Sequence, residues 1–225
     1  MSRARNIDLS KSVLLIIDMQ KGFDQTGLPA RTTDPDGPAL RLLEAWRSRG
    51  GAVIHVRHDS VQPGSVLAPS HPGNALREGF APLSDEGLVV KSVNSAFIGT
   101  DLDLRLRRLG ADAVIALGFE TDKCVSTTVR MGANLGYRMI VAADACAAFD
   151  QPGLDGKIIP AAQIHAVHLA TLANEFAKSL RLMRSSNSFD RRYASNVSAV
   201  RSALPRTKRA AAFAPRPPRS FLGFA

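Results

Sequence analysis

Ala113-Val114-Ile115-Ala116-Leu117-Gly118-Phe119-Glu120-Thr121-Asp122-Lys123-Cys124-Val125 is the stretch on which the reading of this chain turns. An apolar run of strand length ends in a turn at Gly118. A helix-like segment then opens at Thr121 and continues to about residue 135. This places Cys124 in the first turn of a helix, where the positive end of the dipole favours a thiolate over a thiol. A single cysteine is more often a small buried apolar residue than a nucleophile. What decides between the two is whether other parts of the chain converge on it.

Working outward, the same grammar repeats. Val13 to Ile17 is a continuous apolar run without alternation, which suits a strand covered on both faces of a parallel sheet. Asp18 follows at its carboxyl end. Residues 37–49 have a helical period in Leu40, Leu43 and Trp46, stopped by Gly50-Gly51. Ala52 to Val56 is a second strand, followed by His58. Residues 61–87 are rich in Pro and Gly and too long for a plain connection, so they read as a folded functional loop. Gly87 to Val90 is a third strand with Lys91 at its end, and residues 101–109 are a compact helix. Asp112 to Leu117 is the fourth strand and Arg138 to Ala142 the fifth, with Asp144 and then Cys146 beyond it. A long helix runs from Pro160 to about Leu180, and whether a last strand follows near residues 177–183 stays open. Strands alternating with helices predict an α/β fold with a mainly parallel sheet covered on both faces.

The bulk numbers narrow the function classes. The chain has 225 residues, net charge +9 and two cysteines. Nine bases and one acid lie from residue 182 onward, so that tail carries +8 and the rest only +1. The globular part is near neutral, and the pI is no argument for nucleic-acid binding. Two cysteines build no disulfide framework. The apolar run at residues 13–17 is too short for a signal core or a membrane span. The expectation is one domain over residues 1–184 and a basic, disordered tail over 185–225. The domain is expected to be cytoplasmic, with a small-molecule substrate and no nucleic-acid or membrane partner.

Three strands end in a reactive side chain: Asp18, Lys91 and Cys124. Carboxyl ends of parallel strands share one edge of a sheet, so the three can meet. A lysine ammonium beside Cys124 would lower its pKa. Asp18 could take the thiol proton and later deliver one to a leaving amine. Phe23 and Phe119 are candidate substrate contacts, and so is His58.

Taken in order, Ile16-Ile17-Asp18-Met19-Gln20…Phe23, Val90-Lys91…Ser95-Ala96-Phe97 and Gly118…Thr121…Cys124-Val125 resemble the isochorismatase-like cysteine hydrolase superfamily. Gly99-Thr100-Asp101-Leu102, Leu135-Gly136-Tyr137 and Ala143-Asp144-Ala145 extend the resemblance across roughly residues 10–180. It implies a Rossmann-like three-layer α/β/α sandwich and a Cys-Asp-Lys triad at Cys124, Asp18 and Lys91. It also implies a non-proline cis peptide at Phe119-Glu120 that aims the backbone N–H groups of Glu120 and Cys124 at an oxyanion. Members with the thiol are mostly amidohydrolases, which implies cleavage of a C–N bond in a small amide or carbamoyl compound through a thioester. An isochorismatase-type ether hydrolase and a non-catalytic binding member are the alternatives. The family commonly forms oligomers, so a homo-oligomer is expected.

Some family members bind a metal through an Asp-x-His pair after the second strand. Here that region reads Arg57-His58-Asp59-Ser60, in which the order is absent. Neither His55 nor His71 stands at a metal spacing with an acid, and His165 and His168 have only Glu175 near in sequence. No metal and no cofactor are expected. Glu120 departs from the small or apolar residues common at its position, and an acid there would disfavour an anionic substrate.

Overall fold

The computed structural model describes residues 7–25, 29–32 and 34–180. The tail expected over residues 185–225 lies outside them. Six strands form one sheet: β1 (Ser12–Ile17), β2 (Ala52–His58), β3 (Gly87–Lys91), β4 (Ala113–Phe119), β5 (Arg138–Ala147) and β8 (Ala177–Leu180). Their order is β3-β2-β1-β4-β5-β8, and every neighbouring pair is parallel. Strands β6 (Gln151–Pro152) and β7 (Ile158–Ile159) form a separate antiparallel hairpin. Among the described residues four α-helices, α1 (Asp36–Arg47), α2 (Leu102–Arg108), α3 (Ser126–Asn134) and α4 (Ala161–Glu175), flank the sheet in a three-layer α/β/α sandwich.

The order has a direct consequence for function. Building outward from β1 first through β2 and β3, then through β4, β5 and β8, leaves a switch point between β1 and β4. Ligands of doubly wound sheets bind in the crevice beyond the strand ends at such a point. Asp18 follows β1 and Cys124 follows β4, so both stand at that crevice.

The central strands carry the core. All six residues of β1 and all seven of β4 are buried, as continuous apolar runs between two helical layers require. On α1, Leu42, Leu43 and Trp46 are buried, and the Trp46 indole donates to the Ala52 carbonyl at 2.9 Å. The helix is thereby pinned to the start of β2.

Three details differ from the sequence reading. Strand β5 runs to Ala147 rather than to Ala142, so Asp144 and Cys146 are strand residues. The cause is a register shift: β4 pairs Ala116 with Val141 but Gly118 with Cys146, so the extra β5 residues are absorbed without ending the ladder. The segment after Gly118 starts with a π turn, Thr121–Val125, before the α-helix begins at Ser126. The helix from Pro160 stops at Glu175, and residues 177–180 supply the edge strand β8. Among the described residues no helix is long and apolar enough to cross a membrane.

Candidate active site

The loop after β1 turns sharply. Asp18 has φ +53°, unusual for a residue with a side chain, and its N–H is held by the Val56 carbonyl at 2.9 Å. Its carboxylate is fully buried. Lys91, the last residue of β3, lies two strands away, and its side chain is also fully buried. Lys91 Nζ donates to Asp18 Oδ2 at 2.7 Å and to Cys124 Sγ at 3.2 Å. The structure therefore brings together the three side chains that the strand ends place on one edge. It adds His58, the last residue of β2, with Nδ1 2.9 Å from Lys91 Nζ.

Cys124 keeps 9% of its surface exposed, against 1% for Cys146 within β5. The thiol's ionisation is opposite to what the helix start alone suggests. Burial, helped by the nearby Asp18 charge, pushes its pKa up to about 12 and outweighs the Lys91 ammonium. Cys124 is thus a thiol at neutral pH and needs a base to become a nucleophile. Burial also raises the pKa of Asp18, against the pull of Lys91. One oxygen, Asp18 Oδ1, is buried and has no hydrogen-bond partner among the described residues.

The turn that carries Cys124 is built around Gly118, at φ +124°. A Cβ at that position would sit 1.8 Å from the Ile17 carbonyl oxygen, so only glycine lets β4 pass β1 here. The Phe119-Glu120 peptide is cis, as the resemblance implies. The Glu120 carbonyl, in the next peptide, accepts from the Lys123 and Val125 N–H groups, both at 3.1 Å, which ties Glu120 into the π turn. The Thr121 hydroxyl is 2.8 Å from His165 Nδ1, and Gln151 donates to Asp122 at 2.6 Å. The turn is thus braced by α4 and by the segment after β5. His165, considered for metal binding, has this bracing contact instead. The Glu120 carboxylate is bonded through both oxygens to Lys123 at 3.0 and 2.8 Å, so its charge is matched locally.

The aromatic residues divide in two. Phe23 is half-buried and stacks on Phe119, with ring centroids 4.7 Å apart and planes 8° from parallel. Phe119, expected to touch substrate, is fully buried. Its ring lies against Phe23 and under the Arg77 guanidinium, 4.5 Å from the centroid. That expectation is corrected: Phe119 backs Phe23 and presents no free ring surface. Arg77, on the long loop, also bonds to Asp24, Asp36 and the Gln20 carbonyl. It ties the 61–87 loop to the segment after β1.

Sequence reasoning missed the polar clamp behind the site. Gln20 is fully buried. Its amide donates to the carbonyls of His58 and Asn74 at 3.0 and 2.8 Å, and its oxygen accepts from the His58 N–H at 2.8 Å. Asn74 donates to the carbonyls of His58 and Leu67 and to Asp59. The only sequence signal was the position of Gln20 two residues after Asp18.

Ligand atoms of Asp18, His58 and Cys124 lie within 4.8 Å of one another, a set with metal-binding character. Lys91 Nζ is bonded to the same three residues. A cation site exists here, and the lysine ammonium fills it. Of the other histidines considered as ligands, His55 Nε2 is 2.9 Å from Glu86 and His71 Nδ1 accepts from the Gly73 N–H, whereas His168 Nδ1 is buried with no hydrogen-bond partner among the described residues.

Comparison with known proteins matches residues 12–180 to the isochorismatase domain. An uncharacterised isochorismatase family protein of Bacillus subtilis is 38% identical over 180 residues, 80% of this chain and 96% of that protein. A more distant relative, nicotinamidase 3 of Arabidopsis thaliana, is 25% identical over 78% of this chain and 87% of its own length. Among solved structures, a hydrolase of the isochorismatase family from Chromobacterium violaceum superposes with a TM-score of 0.77 at 33% identity, covering 91% of this chain and all of that one. A cysteine hydrolase from Pseudomonas syringae gives 0.75 at 32% identity, covering 85% and 96%.

Proposed function

This chain belongs to the isochorismatase family of hydrolases, and on that premise we propose that it cleaves a C–N bond of a small amide or carbamoyl compound through a thioester on Cys124. The observation that carries the reading is Lys91 Nζ at 2.7 Å from Asp18 and 3.2 Å from Cys124, with the Asp18 carboxylate and the Cys124 sulfur within 4.8 Å of each other.

The chemistry follows from the protonation states. Asp18 Oδ1 takes the proton of Cys124 as Sγ bonds to the substrate carbonyl carbon. The carbonyl electrons move onto oxygen, which the N–H groups of Glu120 and Cys124 receive. Asp18 passes its proton to the nitrogen, the C–N bond breaks, and the amine leaves. Water then gives a proton to Asp18 and adds to the thioester. Sγ departs and recovers that proton, and the carboxylic acid is released. Lys91 keeps its charge throughout, which steadies both the carboxylate and the sulfur anion. Phe23 and His58 border the space for substrate.

The relatives called cysteine hydrolase and nicotinamidase support this reading over ether hydrolysis. The test is a panel of small amides and carbamoyl compounds with the wild type and Cys124→Ala. Hydrolysis by the wild type alone is the expected result. Equal turnover by Cys124→Ala overturns the mechanism.

A further inference from the structure

A lysine ammonium has three N–H donors and no acceptor. Lys91 Nζ has three neighbours at bonding distance: Asp18 Oδ2, His58 Nδ1 and Cys124 Sγ, at 2.7, 2.9 and 3.2 Å. Its side chain is fully buried, so water supplies no substitute for any of them. We propose that His58 is a positioning residue of this site: as the Nε2–H tautomer it accepts from Lys91 at Nδ1, completing a three-acceptor seat that holds the ammonium against Cys124.

Two further features bear on the ring. The ring also interacts with the backbone of Val93, which favours a proton on the ring. The backbone of His58 is clamped from both sides, its N–H by Gln20 and its carbonyl by Gln20 and Asn74. The ring therefore projects from a fixed point. The charged and titratable groups around it are Lys91 on β3, Asp18 after β1, Cys124 on the π turn and the adjacent Asp59, itself paired with Arg57. Burial and Lys91 lower the pKa of His58, which keeps the ring neutral and Nδ1 free to accept. Without this third acceptor, one ammonium N–H is buried unpaired and Nζ is free to tilt away from sulfur.

The inference rests on the reading of Lys91 and Cys124 as catalytic partners, but its test needs no turnover, so the two fail separately. Nitrogen-15 spectra of histidine-labelled wild type report the tautomer directly. The second readout is the rate at which Cys124 reacts with 2,2′-dithiodipyridine at neutral pH, with mass spectrometry assigning the modified residue. His58→Leu, which has no acceptor, is expected to slow that reaction about tenfold, the worth of one hydrogen bond to a charged group. His58→Asn, whose oxygen can stand in for Nδ1, is expected to stay within about threefold of the wild type on the same scale. A proton on Nδ1 in the spectra overturns the proposal. So does a wild-type rate in His58→Leu. If His58→Leu fails to fold, the tautomer and the His58→Asn rate still decide.

Discussion

Lys91 Nζ donates to Asp18 Oδ2 at 2.7 Å, and neither side chain has any exposure to solvent. A buried pair of this kind is costly to break from one side, because the charge left behind has no water to meet. Removing both charges leaves no such residue. Lys91→Met alone and Asp18→Asn alone are each expected to destabilise the fold by about 3–5 kcal/mol. The double variant Asp18→Leu/Lys91→Met is expected to recover most of that loss and still have no hydrolase activity. Urea unfolding of the three variants checks this. Equal instability of the double variant would contradict it.

The raised pKa of Asp18 predicts a pH–rate profile. Asp18 acts as base only when ionised, so kcat/KM falls as pH falls through its pKa. That limb lies above the ordinary value of 3.8 for an aspartate. Because Cys124 is a thiol up to about pH 12, its own ionisation adds no second limb near neutrality. Asp18→Asn is expected to lower kcat/KM by about 10²–10⁴ and to remove the limb. An acid limb that persists in Asp18→Asn would assign it to another group.

Much of the fold was legible in the sequence, for a physical reason. Strands buried on both faces are unbroken apolar runs, and residues at the carboxyl ends of parallel strands share an edge. Asp18, Lys91 and Cys124 could therefore be placed together from their positions alone. The rest depends on contacts between distant segments. Gln20 meets backbone groups 38 and 54 residues away, which no local pattern encodes. The helix start points to an easily ionised Cys124, but burial dominates in the folded chain. Phe119 looks like a pocket wall until Phe23 and Arg77 are seen to cover its ring.

Glu86 supplies a separate pH dependence, in stability. Its carboxylate takes two bonds from Arg47, both at 2.8 Å, one from the Leu83 N–H and a contact from His55. These partners hold its pKa at about 2 against an ordinary 4.5. The folded state binds fewer protons than the unfolded state in that interval, so stability is present above pH 4.5 and is lost as pH falls toward 2. The expected loss is about 1–2 kcal/mol after allowance for solvent screening. Glu86→Gln should flatten this part of the profile, as read by denaturant midpoints at several pH values.

Gly118 ties the fold to the site. Gly118→Ala would combine a φ of +124° with a Cβ overlapping the Ile17 carbonyl, so β1 and β4 must part just ahead of Asp18 and Cys124. The expected cost is at least about 2 kcal/mol. Activity should fall further than stability does, and thermal unfolding run beside an activity assay separates the two. An alanine variant as stable and active as the wild type would contradict this placement.

The most direct test of the central claim is rapid-quench mass spectrometry of the wild type during turnover of an active amide from the panel. The account predicts a transient mass increase equal to the acyl group, confined to the peptide containing Cys124. It also predicts that the adduct accumulates when water is partly replaced by a poor nucleophilic co-solvent. Steady hydrolysis with no acyl adduct, together with full activity in Cys124→Ala, would contradict it.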